Sequence, residues 1–515
     1  MHSPFQLVRM RDLLVCTLTL LCATNTSATL GQPGTLDPTW GTASPLGAGK
    51  VITKISSGHG YGRASAVQPD GKVILAGNCW NGSKNDFCAV RYHGGNAVGF
   101  PGGTLDLTFN VTGSVLAPIS GGDDYARALA LLPDGRIVLV GSCANGTTTV
   151  FCAARYGANG LLDTSFNGAG SLTTAITSGN NIAYAVALQP DGKIVLAGSC
   201  SSGLSTDFCA ARYHQDGSLD LSFNGTGKVV TPSGIAYAIA LQPYGKILIT
   251  GNCGGQFCTF RHSSDGSLDI SFNGTGSVRT SIGGIGDEAK AIVLQPDGKI
   301  LLAGACWNGA DYDLCALRYH GGSATGFPAG SVDTSFNGTG KVVTLLGSTS
   351  SSAAAISLQA DGKAILAGTC RNGGPTYDFC ALRYDDSGTL DLSFNGSGKV
   401  TTPVGSGIDF GSTIALQVDG NIVLAGSCEG SDASFAFCAI RYAGGPFGYK
   451  NCSLDIDGDN RVLATTDSLI HTRIALGITG TAVVNGITFP PAATRNTWPL
   501  IRDYLVTQCG MSLVQ

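Results

Sequence analysis

One passage is written seven times along this chain, and every copy brings two cysteines of its own. Its clearest form runs AVALQPDGKIVLAGSC (185–200), DFCAARY (207–213) and GSLDLSFNGTGKVV (217–230). The aromatic residue of the last phrase recurs at Trp40, Phe109, Phe166, Phe223, Phe272, Phe336 and Phe394, at spacings of 49 to 69 residues. A period of this size means one supersecondary unit stacked on its neighbours, so the repeat dictates the architecture.

Each unit holds four strand candidates, taken in the order KVVTP (228–232), AYAVALQ (183–189), KIVLAGS (193–199) and FCAARY (208–213) of successive copies. The second meets the third across Pro190-Asp191-Gly192. There proline pre-sets the first turn dihedral and Asp-Gly tolerates the reversal, which predicts a hairpin. The strands are almost continuously apolar, which predicts burial on both faces. Four short strands per unit fit a propeller blade. A parallel β-helix uses shorter coils, and a helical solenoid shows a 3.6-residue period. An open array needs atypical end repeats, yet the first and last copies keep the full motif. The expected fold is therefore all-β: a closed seven-bladed β-propeller of four-stranded blades over residues 36–442. The last copy ends at Arg441-Tyr442 without the SLDxSF phrase, whereas the chain's first phrase is Leu36-Asp37-Pro38-Thr39-Trp40. The N-terminal segment is expected to supply the missing piece and latch the ring.

These three phrases, LQPDGKI-x-x-x-G, F-x-x-x-RY and GSLDxSF, in fixed order, resemble the delta-60 repeat family. The resemblance covers nearly all of 36–442 and implies a β-propeller in exported, mostly bacterial proteins with no common activity. The chain departs from the pattern at Tyr244, Ala360 and Val418 and in the short Cys253–Cys258 loop, so the fourth blade is expected to be irregular.

Arg9 and Arg11, the apolar run 13–23 and the small residues after it read as a secretory signal over 1–28. The run is too short to span a bilayer, and no later segment approaches ~20 apolar residues. A secreted chain, extracellular or periplasmic and without a transmembrane segment once processed, is expected. Of 18 cysteines, Cys16 and Cys22 fall in the signal. The other 16 fall into pairs: Cys79 with Cys88, Cys143 with Cys152, Cys200 with Cys209, Cys253 with Cys258, Cys306 with Cys315, Cys370 with Cys380, Cys428 with Cys438, and Cys452 with Cys509. One pair per repeat makes local disulfides the economical connectivity in an exported chain. Zinc would require the ligands to converge on one site.

Charged residues make up 13% of the chain and the net charge is −4, with the basic residues dispersed. That builds no concentrated positive field for a phosphate backbone and argues against nucleic-acid binding. No catalytic motif such as GxSxG or HExxH occurs, which lowers the enzyme reading. The recurring Arg-Tyr pairs and the Asp of SLDxSF read as blade packing and turn chemistry. Function is sought in what the copies do not share. Copies one and five share Cys-Trp-Asn-Gly (79–82, 306–309) and long connectors (93–101, 320–328). Trp80, His93, Trp307 and His320 are thus candidates for a ligand rim, the rival reading being simple duplication.

After Gly444 the texture changes. In CSLDIDGDNRVLATTD, Asp455, Asp457 and Asp459 stand at positions 1, 3 and 5 of a loop, Arg461 offers a carbonyl at 7, and Asp467 follows at 13. The loop resembles an EF-hand or dockerin calcium loop with one inserted residue, and so implies a small α-helical module over 451–515 holding structural Ca²⁺. The sequence as a whole points to an exported, non-catalytic propeller that binds an extracellular protein or glycan. The alternative is an extracellular polysaccharide hydrolase or lyase with its site in the propeller funnel.

Overall fold

The computed structural model describes residues 32–444, apart from the short stretches 96–99, 204, 233, 323–325, 347–348, 372–373, 375 and 418. Beyond them it describes 456, 466, 469–470, 473, 480–491 and 493–507. The signal segment, Cys452, Cys509 and the loop residues Asp455, Asp457, Asp459, Arg461 and Asp467 lie outside the described residues.

Blade 3 serves for all. Its innermost strand, Asn181–Leu188, pairs with Ile194–Ser202 across the predicted hairpin. There Gln189 donates its amide to the Lys193 carbonyl at 2.8 Å, and Gly192 takes φ +83°. The third strand, Ser205–Tyr213, pairs with the second through nine residue pairs. The outermost strand, Lys228–Thr231, pairs with the third from Phe208 to Ala211. KVV therefore closes the blade that precedes it instead of opening the next, which corrects the order read from the sequence. The reason is local: the GSLDLSF turn returns the chain antiparallel beside FCAARY before it can leave the blade.

Seven such four-stranded sheets form the ring. Every innermost strand carries a bulge, between Ala183 and Ala185 in blade 3. The glycine of VLAGSC faces it: a Cβ on Gly198 would lie 1.9 Å from the Ile182 carbonyl oxygen, so only glycine fits. The core lies between blades. Val138, Val140, Phe151 and Phe166 of blade 2 pack on Ile194, Leu196 and Tyr213 of blade 3, and seven clusters of this kind fill seven interfaces. This is why the second and third strands are buried along both faces.

The ring closes through its N-terminus. Lys50–Thr53 is the outermost strand of blade 7 and pairs with Phe437–Ile440. Leu36 bridges Tyr442, and the Asp37 amide donates to the Arg441 carbonyl at 2.8 Å. Blade 4 is irregular where expected. Without the aspartate that elsewhere holds the turn, Tyr244 takes φ +63° and stands 95% exposed.

Past the ring, Ile456, Ile470, Val483, Ile501, Tyr504 and Leu505 share a small core of their own. One short helix, Trp498–Thr507, is described there. Among the described residues no helix is long and apolar enough to cross a membrane.

Candidate functional site

The two ends of the blades differ in what they carry. At one end lie the Pro-Asp-Gly turns and the SLDxSF phrases. At the other lie the disulfide-bearing hairpins and the connections between blades.

The turn end is a sevenfold clamp. In blade 3, Arg212 Nε meets Asp220 Oδ2 at 2.7 Å, and the guanidinium carbon sits 4.6 Å from the centre of the Phe223 ring. The same arginine donates through Nη1 to the Ser264 carbonyl of blade 4. Equivalent pairs recur as Arg91–Asp106, Arg155–Asp163, Arg261–Asp269, Arg318–Asp333 and Arg383–Asp391. The seventh is Arg441 with Asp37 at 2.8 Å, under Trp40. The repeated aromatic is thus the lid of a buried ion pair, and the repeated arginine stitches each blade to the next. Burial alone would raise Asp333, but the Ser335 hydroxyl and amide, Arg318 and Lys299 together pull it down to about 2. Asn224, in the left-handed region at φ +53°, donates its amide to the Asp265 carbonyl of the next blade at 2.6 Å, so the Asn-Gly pair is turn chemistry.

The seven predicted disulfides within blades are formed, each with Cα atoms 5.8–5.9 Å apart. In blades 1 to 3, Cys79 bonds to Cys88, Cys143 to Cys152 and Cys200 to Cys209. In blades 4 to 7, Cys253 bonds to Cys258, Cys306 to Cys315, Cys370 to Cys380 and Cys428 to Cys438. Each joins the second strand to the third beside their hairpin. They are staples of the hairpin end, closing short loops and removing ~2–3 kcal/mol of unfolded-chain entropy apiece. The eighth predicted pair, Cys452 with Cys509, lies outside the described residues.

What the copies do not share is gathered at the funnel in the centre of this end. The bulge residue of the innermost strand is Arg63, Arg127, Tyr184, Tyr237, Lys290, Ala354 and Ser412 in blades 1 to 7. Arg127 lies 5.0 Å over the Tyr184 ring, and Tyr184 meets Tyr237 edge-on at 5.4 Å. Among the described residues no acidic side chain pairs with Arg63 or Arg127. Lys290 is paired, 3.3 Å from Glu288. Enclosure by the surrounding blades lowers Arg63 even though its side chain stays open to the funnel, and the charge of Arg127 in the next blade lowers it further. Burial, with Glu288 nearby, pushes the Tyr237 phenol up.

A cavity of about 480 Å³ opens where the bulge side chains are smallest, at Ala354 and Ser412, with Arg63 and Lys290 at its flanks. A run of rings begins in its lining, at Tyr377 and Phe410, and continues away from it to blade 1. Tyr377 and Phe410 are 6.2 Å apart, Phe410 and Phe435 5.7 Å, and Phe435 and Tyr61 5.3 Å. These residues carry no motif, because they occupy the variable places before each FC and at the start of each innermost strand. The signal was present only as divergence, visible when the copies are aligned on the small residues that flank the bulge, alanine in most blades, Gly62 in blade 1 and Gly411 and Thr413 in blade 7.

The four rim candidates divide between the two ends. Trp80 and Trp307 end second strands at the funnel side. Trp307 meets Tyr312, which lines the cavity, edge-on at 5.1 Å, and Trp80 donates its amide to the carbonyl of His59. His93 and His320 follow third strands at the turn end, where they are buried and stacked on Phe100 and Phe327 at 4.5 and 4.3 Å. One rim does not hold all four, since each strand pair puts its tryptophan and its histidine at opposite ends.

Fold and geometry define the class: a disulfide-stapled, repeat-built seven-bladed β-propeller. Residues 68–96, 132–166, 189–223 and 359–394 match the family described as "Domain of unknown function (DUF5122) beta-propeller". No curated protein matches the sequence. Similar solved structures include virginiamycin B lyase from Staphylococcus aureus, at 10% identity and TM-score 0.40, covering 76% of this chain and 98% of that one. A PL25 ulvan lyase matches at 11% identity and TM-score 0.42, over 74% and 93% of the two chains. Regucalcin from Agrobacterium tumefaciens, a calcium-binding protein, matches at 13% identity and TM-score 0.34, over 77% and 95%. At such identities the likeness is one of shape.

Proposed function

We propose that this chain is an exported, non-catalytic binding propeller that takes its ligand at the disulfide-bearing mouth of the central funnel. The observation that carries the reading is the contrast between ends: seven equal clamps at one, and at the other an unequal set of cations and rings around a cavity. A site that varied only by drift would scatter such residues over the blades, whereas here they converge. Export is supported by the seven disulfides, which persist in oxidising compartments. In the same reading Asp455, Asp457, Asp459, the Arg461 carbonyl and Asp467 hold a structural Ca²⁺ in the C-terminal module, a hard cation suited to that oxygen-rich set. Calorimetric titration of the full mature chain with Ca²⁺ tests this, and no heat at millimolar calcium would remove the site.

The alternative, a polysaccharide hydrolase or lyase, has one observation on its side: Arg127 packs on Tyr184, beside Tyr237. A tyrosine acting as base at neutral pH needs its phenol brought down. Tyr237 is pushed the other way, which counts against a tyrosine base there. The deciding experiment probes glycans and cell-wall preparations with the mature chain, with and without EDTA. Retention without new reducing ends or unsaturated sugars supports a binder; product release from the retained glycan would establish the enzyme.

A further inference from the structure

We infer that the funnel mouth binds an acidic oligosaccharide, lying along the rings of blades 6, 7 and 1 with its carboxylate or sulfate group on Arg63. The inference rests on the binding reading above and names the ligand class. Tyr377, Phe410, Phe435 and Tyr61 follow one another at 5.3–6.2 Å, each ring tilted 27–31° from the last, and His59 packs 6.0 Å from both Phe435 and Tyr61, so three blades contribute one continuous aromatic run. The C–H face of a pyranose carries slight positive charge and meets the negative face of an aromatic ring favourably. Successive sugar units along a chain match a row of rings better than a single deep pocket would.

The cavity beside the row has the polar lining that sugar hydroxyls require, in Ser350, Ser352, Thr369 and Ser412. At about 480 Å³ the space lies in the range of small-ligand sites.

Charge makes the ligand acidic. Arg63 stands 5.5 Å from the Tyr61 ring centre, at the end of the row. Arg127 takes the same bulge position in blade 2, and no carboxylate among the described residues neutralises either. Two unpaired guanidiniums on the innermost strands of neighbouring blades repel each other, and an anion beside them turns that cost into attraction. Lys290 at the far flank is already matched by Glu288, so the acid group is assigned to the Arg63 side.

Calorimetry on the full mature chain tests the assignment with three probes of matched length: a uronic-acid oligosaccharide, a sulfated one and a neutral one. Both acidic probes are expected to bind at least tenfold more tightly than the neutral one, with affinity falling as salt rises; their ratio shows whether carboxylate or sulfate is preferred. Arg63→Gln should abolish most of the acidic preference, and Arg63→Lys should restore part of it. Phe410→Ala should weaken acidic and neutral probes alike. Equal binding of all three, unmoved by Arg63→Gln, overturns the acidic ligand while leaving a binding propeller. Tighter binding of single-stranded DNA, which also stacks on rings beside cations, overturns the saccharide. If no glycan or cell-wall preparation is retained either, the binding reading and the inference fall together.

Discussion

Arg212 and Arg63 are both arginines on propeller strands, and the fold treats them in opposite ways. Arg212 is 4% exposed, paired with Asp220, covered by Phe223 and bonded to the next blade. Arg63 is exposed at a bulge, with a tyrosine beneath it and no acid opposite. The first has an equivalent in all seven blades; the second shares its position with a second arginine, two tyrosines, a lysine, an alanine and a serine. A ring of stacked blades needs the same joint at every interface, so whatever makes the joint must repeat. The funnel residues also touch across blades, Arg127 on Tyr184 and Tyr184 on Tyr237, but they make no joint that recurs at every interface, so they are free to differ. Repetition therefore marks the stabilising framework, and its failure marks the candidate site.

Two perturbations separate these regions most sharply. Deleting residues 30–41 removes Asp37 and Trp40, leaving Arg441 buried without its acid at the joint that closes the ring. The loss should exceed the ~3–5 kcal/mol of one broken buried pair and lower the melting temperature of the whole ring; an unchanged melt would break the closure argument. Arg212→Ala leaves Asp220 with Lys193 alone as its cation, 3.2 Å away, and removes the bond to Ser264; it is expected to cost about 3 kcal/mol, read as a shift in the denaturant midpoint. Arg63→Ala, the same change in the other region, should stay within ~0.5 kcal/mol. Comparable losses at both arginines would dissolve the distinction.

The framework was legible because its physics is local and repeated. Pro-Asp-Gly announces a hairpin, and two cysteines with four to nine residues between them announce a staple. The last phrase was legible as a turn but not as the return of a strand, since KVV pairs with FCAARY only once Asp220 has reached back to Arg212. One clamp was half hidden because blade 4 writes Arg261-His262 where the others write Arg-Tyr. The funnel row was legible only as divergence between the copies, not as a site. Tyr377, Phe410, Phe435 and Tyr61 come from different phrases, and Tyr61 lies more than three hundred residues from the others. Ring closure alone makes them neighbours, and that is long-range geometry no local pattern encodes.

A smaller effect is expected where the framework meets the mouth. Asp409, fully buried, holds the connection into blade 7 by accepting the Val404 and Gly405 amides. Burial raises it to about 6, with Asp378 adding to the rise against the two amides and Lys50. The folded state thus keeps a proton that the unfolded chain releases near pH ~4. The stability linked to that proton is complete below pH ~4 and is lost as pH rises through about 6. Blade 3 has Asn181 at the same place, accepting the Thr177 amide at 2.9 Å without a charge. Asp409→Asn is therefore expected to stabilise the ring by about 1–2 kcal/mol at neutral pH. The gain should vanish in melts taken below pH ~4; a gain independent of pH would mean that the ionised acid is not what strains the site.

The smallest expected effect concerns a place where the framework itself fails to repeat. In four of the six Arg-Tyr pairs the tyrosine hydroxyl bonds the threonine at the end of the preceding blade's outermost strand: Tyr92 with Thr53 at 2.7 Å, Tyr319 with Thr280 at 2.7 Å, Tyr384 with Thr344 at 2.5 Å, and Tyr442 with Thr402 at 2.6 Å. Blade 1 ends its outermost strand in Ala117, paired with Phe87 as Thr402 is with Phe379. The Tyr156 hydroxyl accordingly finds no partner among the described residues. Ala117→Thr supplies the missing oxygen and a β-branched side chain suited to a strand, and should add ~0.5–1.5 kcal/mol. The control runs in the other direction. Tyr156→Phe should cost almost nothing in the native chain but cancel the gain in Ala117→Thr, whereas Tyr442→Phe should cost ~1 kcal/mol outright. If Tyr156→Phe proved as damaging as Tyr442→Phe, the tyrosines would be holding the blades by their rings, and the hydroxyl–threonine bond would be incidental to the joint.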